Sequence, residues 1–159
     1  MAENYKFIAD NNVGKLARWL RMVGFDTTLF NGADDAEMLV AAQTEGRIVL
    51  TRDTGIMERR VMVSGQVKGI LIDSDKLDNQ TKQVVVALKI GNSDYKPFAR
   101  CIECNQPLIS RAKAEVKEKV PPYVYRTQEQ FVECLNCHRI YWKGTHWQAM
   151  KHQIDNMIE

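Results

Sequence analysis

Apolar residues recur at two periods along the first ninety positions. Residues 6–9 (KFIA) form a short apolar run ending at Asp10. Residues 13–23 then place Leu16, Leu20 and Val23 at helical spacing, with Gly24 as a stop. Residues 25–30, rich in Thr and aromatics, read as a strand. Asp34 or Asp35 is positioned to cap a helix that carries Met38, Leu39, Ala41 and Ala42, runs to about Glu45 and closes at Gly46. Residues 47–51 (RIVLT) have the continuous apolar character of a buried strand. A helix over 54–64 ending at Gly65, a strand over 67–72 and a helix over 78–90 stopped by Gly91 complete the series. Strands alternating with helices over short connections predict an α/β fold: a parallel sheet with helices on both faces.

Beyond Gly91 the pattern changes. The stretch 91–97 (GNSDYKP) has linker composition, which divides the chain into residues 1–96 and 97–159. The second part holds paired cysteines, a Pro121-Pro122 turn and short aromatic, strand-like pieces at 123–125 and 140–142. It ends in a helix over 145–158, with Trp147, Met150, Ile154 and Met157 roughly aligned.

Composition narrows the class. The chain has 159 residues, 45% hydrophobic and 26% charged, which excludes disorder, collagen and coiled coil as the main architecture. There is no apolar run of membrane-spanning length and no basic-then-apolar leader, so no membrane partner and a cytoplasmic location are expected. The net charge of +2 is uneven: residues 1–97 hold 13 basic and 13 acidic side chains, and residues 98–159 hold 9 and 7. A strongly basic nucleic-acid coat protein is thereby disfavoured, but a nuclease with local patches is not.

The acidic residues fall at informative places. Asp10 ends the first strand, Asp53 follows RIVLT and Arg52, and Asp73 follows the strand at 67–72. In a parallel sheet the carboxyl ends of the strands share one edge, where ligand crevices form. Asp34, Asp35 and Glu37 open the second helix beside that edge. Clustered carboxylates repel unless cations hold them, and oxygen-only sites suit Mg²⁺ or Mn²⁺. Two such ions can activate water and stabilise a leaving oxygen in phosphodiester cleavage. Each acid alone also has a structural explanation: Asp34 or Asp35 as a helix cap, Asp53 as a cap for the helix near Thr54, and Asp73 as a turn residue. Asp10 is the hardest to explain that way.

Lys15 and Arg18, three apart in GKLARWLR, share the flank opposite Leu16 and Leu20. A cation there would hold a phosphate near Asp10; the alternative is a solvated face with Trp19 half buried. The G-K pair lacks P-loop spacing, and there is no G-x-G-x-x-G, so a nucleotide cofactor is not expected.

All four cysteines lie in Cys101-x-x-Cys104 and Cys134-x-x-Cys137, with 29 residues between the pairs. Two such turns supply four thiolates for tetrahedral Zn²⁺, a closed and therefore structural site. Disulfides fit poorly without an export signal. His138 adjoins Cys137 and would serve as a ligand only if a cysteine did not; His146 and His152 read as surface or packing residues. Arg111, Lys113, Lys117 and Lys119, diluted by Glu115 and Glu118, read as a solvated helix. Tyr123, Tyr125, Tyr141, Trp142 and Trp147 have the rings to stack on bases, although in so small a module most are expected to build the core.

Taken in order, Asp10, GKLARWLR-x-x-GFD, DDAE and EGRIVLTRD resemble the PIN-like ribonuclease domain called the Mut-seven C-terminal domain. The segments ARCIECNQPL, KVPPYVY and CLNCHRIYWKGTHW resemble the zinc ribbon that follows it, so the similarity covers roughly residues 5–150. The resemblance implies a PIN-like fold, a metal-dependent ribonuclease activity and a Cys₄ ribbon. It maps the family's acidic positions to Asp10, to Asp35 with Asp34 and Glu37 near, and to Asp53, with a further acid at Asp73 or Asp75. The leading expectation is that Asp10, Asp35 and Asp53 hold Mg²⁺ or Mn²⁺, Glu37 and Asp73 assist through water, and Lys15, Arg18 and Arg52 bind the RNA backbone. Asn11-Asn12 departs from relatives that carry a second acid there, which thins the expected metal site. The alternatives are a non-catalytic RNA- or ribosome-binding module and a toxin-like protein held by a protein partner. The sequence leaves the oligomeric state open.

Overall fold

The computed structural model describes residues 4–158, apart from the side chains at 145, 146, 157 and 158. The expectations for His146 and Met157 therefore lie outside the described residues. Four parallel strands, β1 (Lys6–Ala9), β2 (Asp26–Leu29), β3 (Ile48–Thr51) and β4 (Gly69–Leu71), form a sheet in the order β2-β1-β3-β4. Helices α1 (Gly14–Met22), α2 (Asp35–Glu45), α3 (Thr54–Met57), α4 (Arg60–Val63) and α5 (Leu77–Leu88) connect and follow them. A second, antiparallel sheet joins β5 (Leu108–Arg111), β6 (Phe131–Cys134) and β7 (Ile140–Tyr141), with α6 (Pro122–Thr127) between β5 and β6. Helix α7 (Thr145–Ile158) ends the chain. This is the predicted α/β sheet followed by a small cysteine-bearing module.

Alternation along the strands divides the core. Phe7, Ala9, Ile48 and Leu50 face one side, with Leu16, Leu20, Val84 and Val85 from α1 and α5. Ile8 and Val49 face the other, with Met38, Leu39, Ala42, Ile56 and Met62. Both faces are covered, as continuous apolar strands require. Helix α7 lays Met150 and Ile154 into the α1–α5 side of this core.

Several local expectations change. The segment 54–64 is two short helices, because Arg59 adopts an extended conformation (φ −61°, ψ 146°). In one continuous helix Ile56 and Met62, six residues apart, would point about 120° away from each other; the break turns both onto the sheet. The last helix before residue 91 stops at Leu88, with Lys89 rather than Gly91 in the left-handed conformation (φ 53°). The Ile90 N–H then bonds to the Val85 carbonyl, which carries Ile90 into the core. Residues 123–125 are helical, not extended: Pro122 sits at the start of α6, where its missing N–H costs nothing. Residues 113–116 form only a 3₁₀ turn. Trp19 is 4% exposed, a core residue and not half buried.

The 91–97 stretch is packed onto the sheet domain. Tyr95 meets Trp19 and Phe25 edge-on, and the Lys96 N–H bonds to the Val23 carbonyl at 2.8 Å. Gly24 (φ +106°) permits this, since a Cβ there would strike the Lys96 carbonyl.

Candidate functional site

The acidic edge is assembled by strand register. Ala9 of β1 pairs with Leu50 of β3, and Thr51 pairs with Leu71 of β4, so Asp10, Asp53 and Asp73 follow neighbouring strands at the same edge. Thr51, fully buried, links two of them. Its hydroxyl donates to Asp10 Oδ2 at 2.8 Å and accepts the Asp53 N–H at 3.0 Å. Asn12 adds a second link: its amide nitrogen donates to Asp10 Oδ2 at 3.3 Å, and its Oδ1 accepts the Arg52 N–H at 3.2 Å. Asn12 thus holds the two loops together.

The capping roles are also present. Asp10 Oδ1 accepts the Asn11 N–H, Asp34 Oδ1 accepts the Ala36 N–H and Asp53 Oδ1 accepts the Gly55 N–H, at 2.9, 2.8 and 2.8 Å. Asp34, not Asp35, is the cap of α2, which leaves the Asp35 carboxylate uncommitted on the first turn. Among the described residues, Asp35, Glu37 and Asp73 make no side-chain hydrogen bond or ion pair, and neither do Lys15 and Arg52. Arg18 is held by Glu103 at 2.7 Å. The carboxylates ring the edge without closing on one another: among the described residues, the four cysteines are the group of three or more metal-ligating side chains whose donor atoms all lie within 4.8 Å.

That thiol centre is built from two matched turns. In the first, the Asn105 N–H bonds to the Cys101 carbonyl at 2.9 Å and the Cys101 N–H to the Gln106 carbonyl at 2.8 Å. In the second, His138 N–H bonds to Cys134 and Cys134 N–H to Arg139, at 2.8 and 3.0 Å. Asn105 (φ 62°) and His138 (φ 64°) both take the left-handed conformation that closes each turn. His138 is therefore a backbone element; its imidazole is exposed, 3.8 Å from Glu133. Cys101 Sγ lies 3.7 Å from Cys137 Sγ, and Zn–S bonds of about 2.3 Å would place tetrahedral sulfurs about 3.8 Å apart. The donor set and its spacing fit a metal such as zinc.

Hydrogen bonds tune the sulfurs. Tyr141 Oη accepts the Ile102 N–H at 3.3 Å, so its own proton is directed to Cys101 Sγ at 3.2 Å. Burial disfavours the Cys101 thiolate, but this hydroxyl and the N–H groups of Cys104 and Glu103 outweigh it and bring the thiol down to about 7. Burial and the neighbouring sulfurs push Cys137 up to about 12. Asn136 Nδ2 donates to Cys104 Sγ at 3.2 Å.

The first turn is also fastened to the sheet domain, by residues the sequence reading passed over. Buried Arg21 donates to the carbonyls of Thr27, Ile102 and Glu103 at 2.8, 2.8 and 3.2 Å. Asn105 accepts the Thr27 N–H at 3.0 Å and donates to Asp26 Oδ1 at 2.7 Å. Strand β2 is an edge strand, so this turn also covers an otherwise open N–H. Periodicity shows Arg21 only as a charge on the core side of α1, and nothing in sequence spacing pairs it with residue 102.

No helix among the described residues is long and apolar enough to cross a membrane. No solved structure matches the chain. The human exonuclease mut-7 homolog is 32% identical over 106 residues, covering 65% of this chain and 12% of that protein. Over residues 5–154 the sequence matches the family described as the Mut7-C RNAse domain, and the chain belongs to that family of nuclease domains.

Proposed function

We propose that this domain hydrolyses RNA phosphodiester bonds at the carboxyl edge of its parallel sheet, with Mg²⁺ or Mn²⁺ held by Asp10, Asp35 and Asp53. The observation that carries the reading is the Asp10–Thr51–Asp53 linkage, in which one buried hydroxyl donates to the Asp10 carboxylate and accepts the Asp53 backbone N–H, fixing two acid-bearing positions after neighbouring strands. Capping engages Asp53 Oδ1 and leaves Oδ2 available, and Asp35 is wholly available. Such oxygen donors fit a hard divalent ion. When bound, the ions supply positive charge that polarises the phosphodiester and acidifies water.

The chain's own groups do the positioning. Lys15 and Arg52, without acidic partners among the described residues, would contact phosphate oxygens, and Arg18 would share itself with Glu103. Glu37 and Asp73 would orient water. The Cys₄ centre would hold Zn²⁺ structurally, since four thiolates leave no open position.

The test is cleavage of a mixed RNA pool with Mn²⁺, with Mg²⁺ and with no added divalent ion. The Asp10→Asn/Asp53→Asn variant should lose activity by at least about a hundredfold with the fold intact, because metal clamping contributes several kcal/mol to such reactions. Wild-type cleavage by that variant would sink the assignment. The separation of the carboxylates favours a second reading, a non-catalytic RNA-binding module. It would show as salt-dependent binding with no metal-dependent turnover.

A further inference from the structure

A groove of about 400 Å³ runs between α1, β7 and α7, with Arg18 at its rim and the rings of Phe98, Tyr141, Trp142 and Trp147 along its walls. Trp147 and Trp142 back onto the two neighbouring cores, as expected of most aromatics in so small a module, and also line the groove. Phe98 adopts φ 64°, an uncommon conformation for a bulky aromatic residue, and its ring stacks against Trp147 with centroids 6.3 Å apart. Among the described residues the buried Trp147 indole N–H has no hydrogen-bond partner. At position 144 a side chain would press on Trp142 Nε1 at 3.2 Å, so the glycine leaves that ring its place.

The rim is cationic. Lys143 and Lys151 lie 4.9 and 5.5 Å from the centre of the Trp147 ring. An adjoining cleft, sharing Arg18 and Tyr141, adds Lys119 and Arg139. Glu103 and Glu133 answer Arg18 and Lys119, leaving Arg139, Lys143 and Lys151 without an acidic partner among the described residues. Aromatic faces bordered by unpaired cations match an extended polyanion that carries flat rings, and suit an apolar protein segment less well.

We propose that this groove is a nucleobase site for single-stranded RNA, with a base against the Trp142 indole and flanking phosphates on Lys143, Lys151 and Arg139. The inference rests on the RNA reading above. Helix α1 connects the two places: it begins at Gly14, four residues after Asp10, and presents Arg18 to the groove about one turn on, a rise of about 6 Å over four residues. The groove would anchor a strand whose next phosphates lie along the acidic edge.

The experiment measures binding of a labelled oligouridine of about ten nucleotides, within the usual range of single-strand sites, to the full zinc-loaded chain carrying Asp10→Asn. An abasic oligomer of the same length serves as the control. Adding Trp142→Ala should weaken oligouridine binding about tenfold, and Trp142→Phe should restore most of it. Lys143→Glu with Lys151→Glu, both on the surface, should weaken binding and flatten its salt dependence. The abasic oligomer should bind weakly and be indifferent to Trp142.

If the groove variants bind like their parent while Lys15→Ala or Arg52→Ala weakens binding, the groove inference falls and the RNA reading stands. Equal binding of the abasic oligomer overturns base recognition, and the groove is then better read as a seat for an apolar protein segment. If the parent binds no RNA, both readings fall.

Discussion

The thiol centre draws its four side chains from two turns of a few residues each, whereas the acidic edge draws its carboxylates from the ends of β1, β3 and β4 and the start of α2. In the first, backbone hydrogen bonds local to each turn aim two sulfurs at one point. In the second, the acids share an edge only because the sheet has folded in register, and they remain apart. A structural centre is closed by its own geometry. The acidic edge is left open, as the proposed substrate site requires. The difference predicts that the two sites respond to mutation in different ways.

The largest effect is expected at the closed centre. Cys134→Ser removes one of four converging donors at a buried position, and structural zinc contributes about 10 kcal/mol or more to small domains of this kind. Metal analysis should show loss of bound zinc, and near-ultraviolet circular dichroism should show loss of the ordered environment around Tyr141 and Trp142. Asp53→Asn should change neither. Retention of zinc by the serine variant would break the comparison.

At the open edge the informative residue is Thr51. Thr51→Val keeps shape and burial but deletes the hydroxyl shared by Asp10 and the Asp53 N–H. Leaving buried polar groups unpaired should cost about 1–3 kcal/mol of unfolding free energy. Loosening two candidate ligands should lower ribonuclease activity about 10- to 100-fold. Denaturant melts and cleavage rates check the two effects separately. A stability loss with unchanged activity would make the linkage merely structural.

How much of this was legible in the sequence follows from the same contrast. Cysteine spacing locates the thiol centre directly, because each turn is local. The sheet and its edge follow from short apolar runs alternating with helical periods, and Asp10, Asp53 and Asp73 are found by their place after those runs. Which acid caps and which is free is decided by backbone geometry: Asp34 and Asp35 are equivalent by composition, and only the start of α2 separates them. The helix break at Arg59 and the left-handed Lys89 are set by what the core must bury, which propensity does not see. The joint between the halves was invisible. Arg21 and Asn105 are polar residues whose partners lie about eighty positions away.

That joint sets how far the closed centre supports the open edge. Asn105→Gly preserves the left-handed turn but removes the bonds to Thr27 and Asp26, and should cost about 1–3 kcal/mol. Asn105→Ala should cost about 1 kcal/mol more, because alanine must also hold φ 62°. Paired thermal melts of the zinc-loaded variants read the difference. Equal losses would mean that the turn relaxes when the side chain is gone.

The smallest expected effect is electrostatic and lies in the same joint. Burial disfavours the charge on Asp26, but hydrogen bonds from Arg47 at 2.8 Å and Asn105 at 2.7 Å, with Arg100 nearby, hold its carboxyl below the ordinary value of 3.8. A group whose acidity is strengthened by folding binds fewer protons in the native state than in the unfolded state. Its contribution is therefore complete above the ordinary carboxylate range and is lost as pH falls through the lower native value. Asp26→Asn should lower stability by about 1 kcal/mol at pH 7, the scale of a partly exposed ion pair. The gap from wild type should narrow below about pH 4, where the unfolded carboxyl takes up its proton, and close at lower pH. Acid also releases zinc by protonating its ligands, but it does so in both proteins, so the difference between their melts isolates Asp26. A gap that persisted unchanged to low pH would show that the residue acts through the shape of its hydrogen bonds and not through its charge.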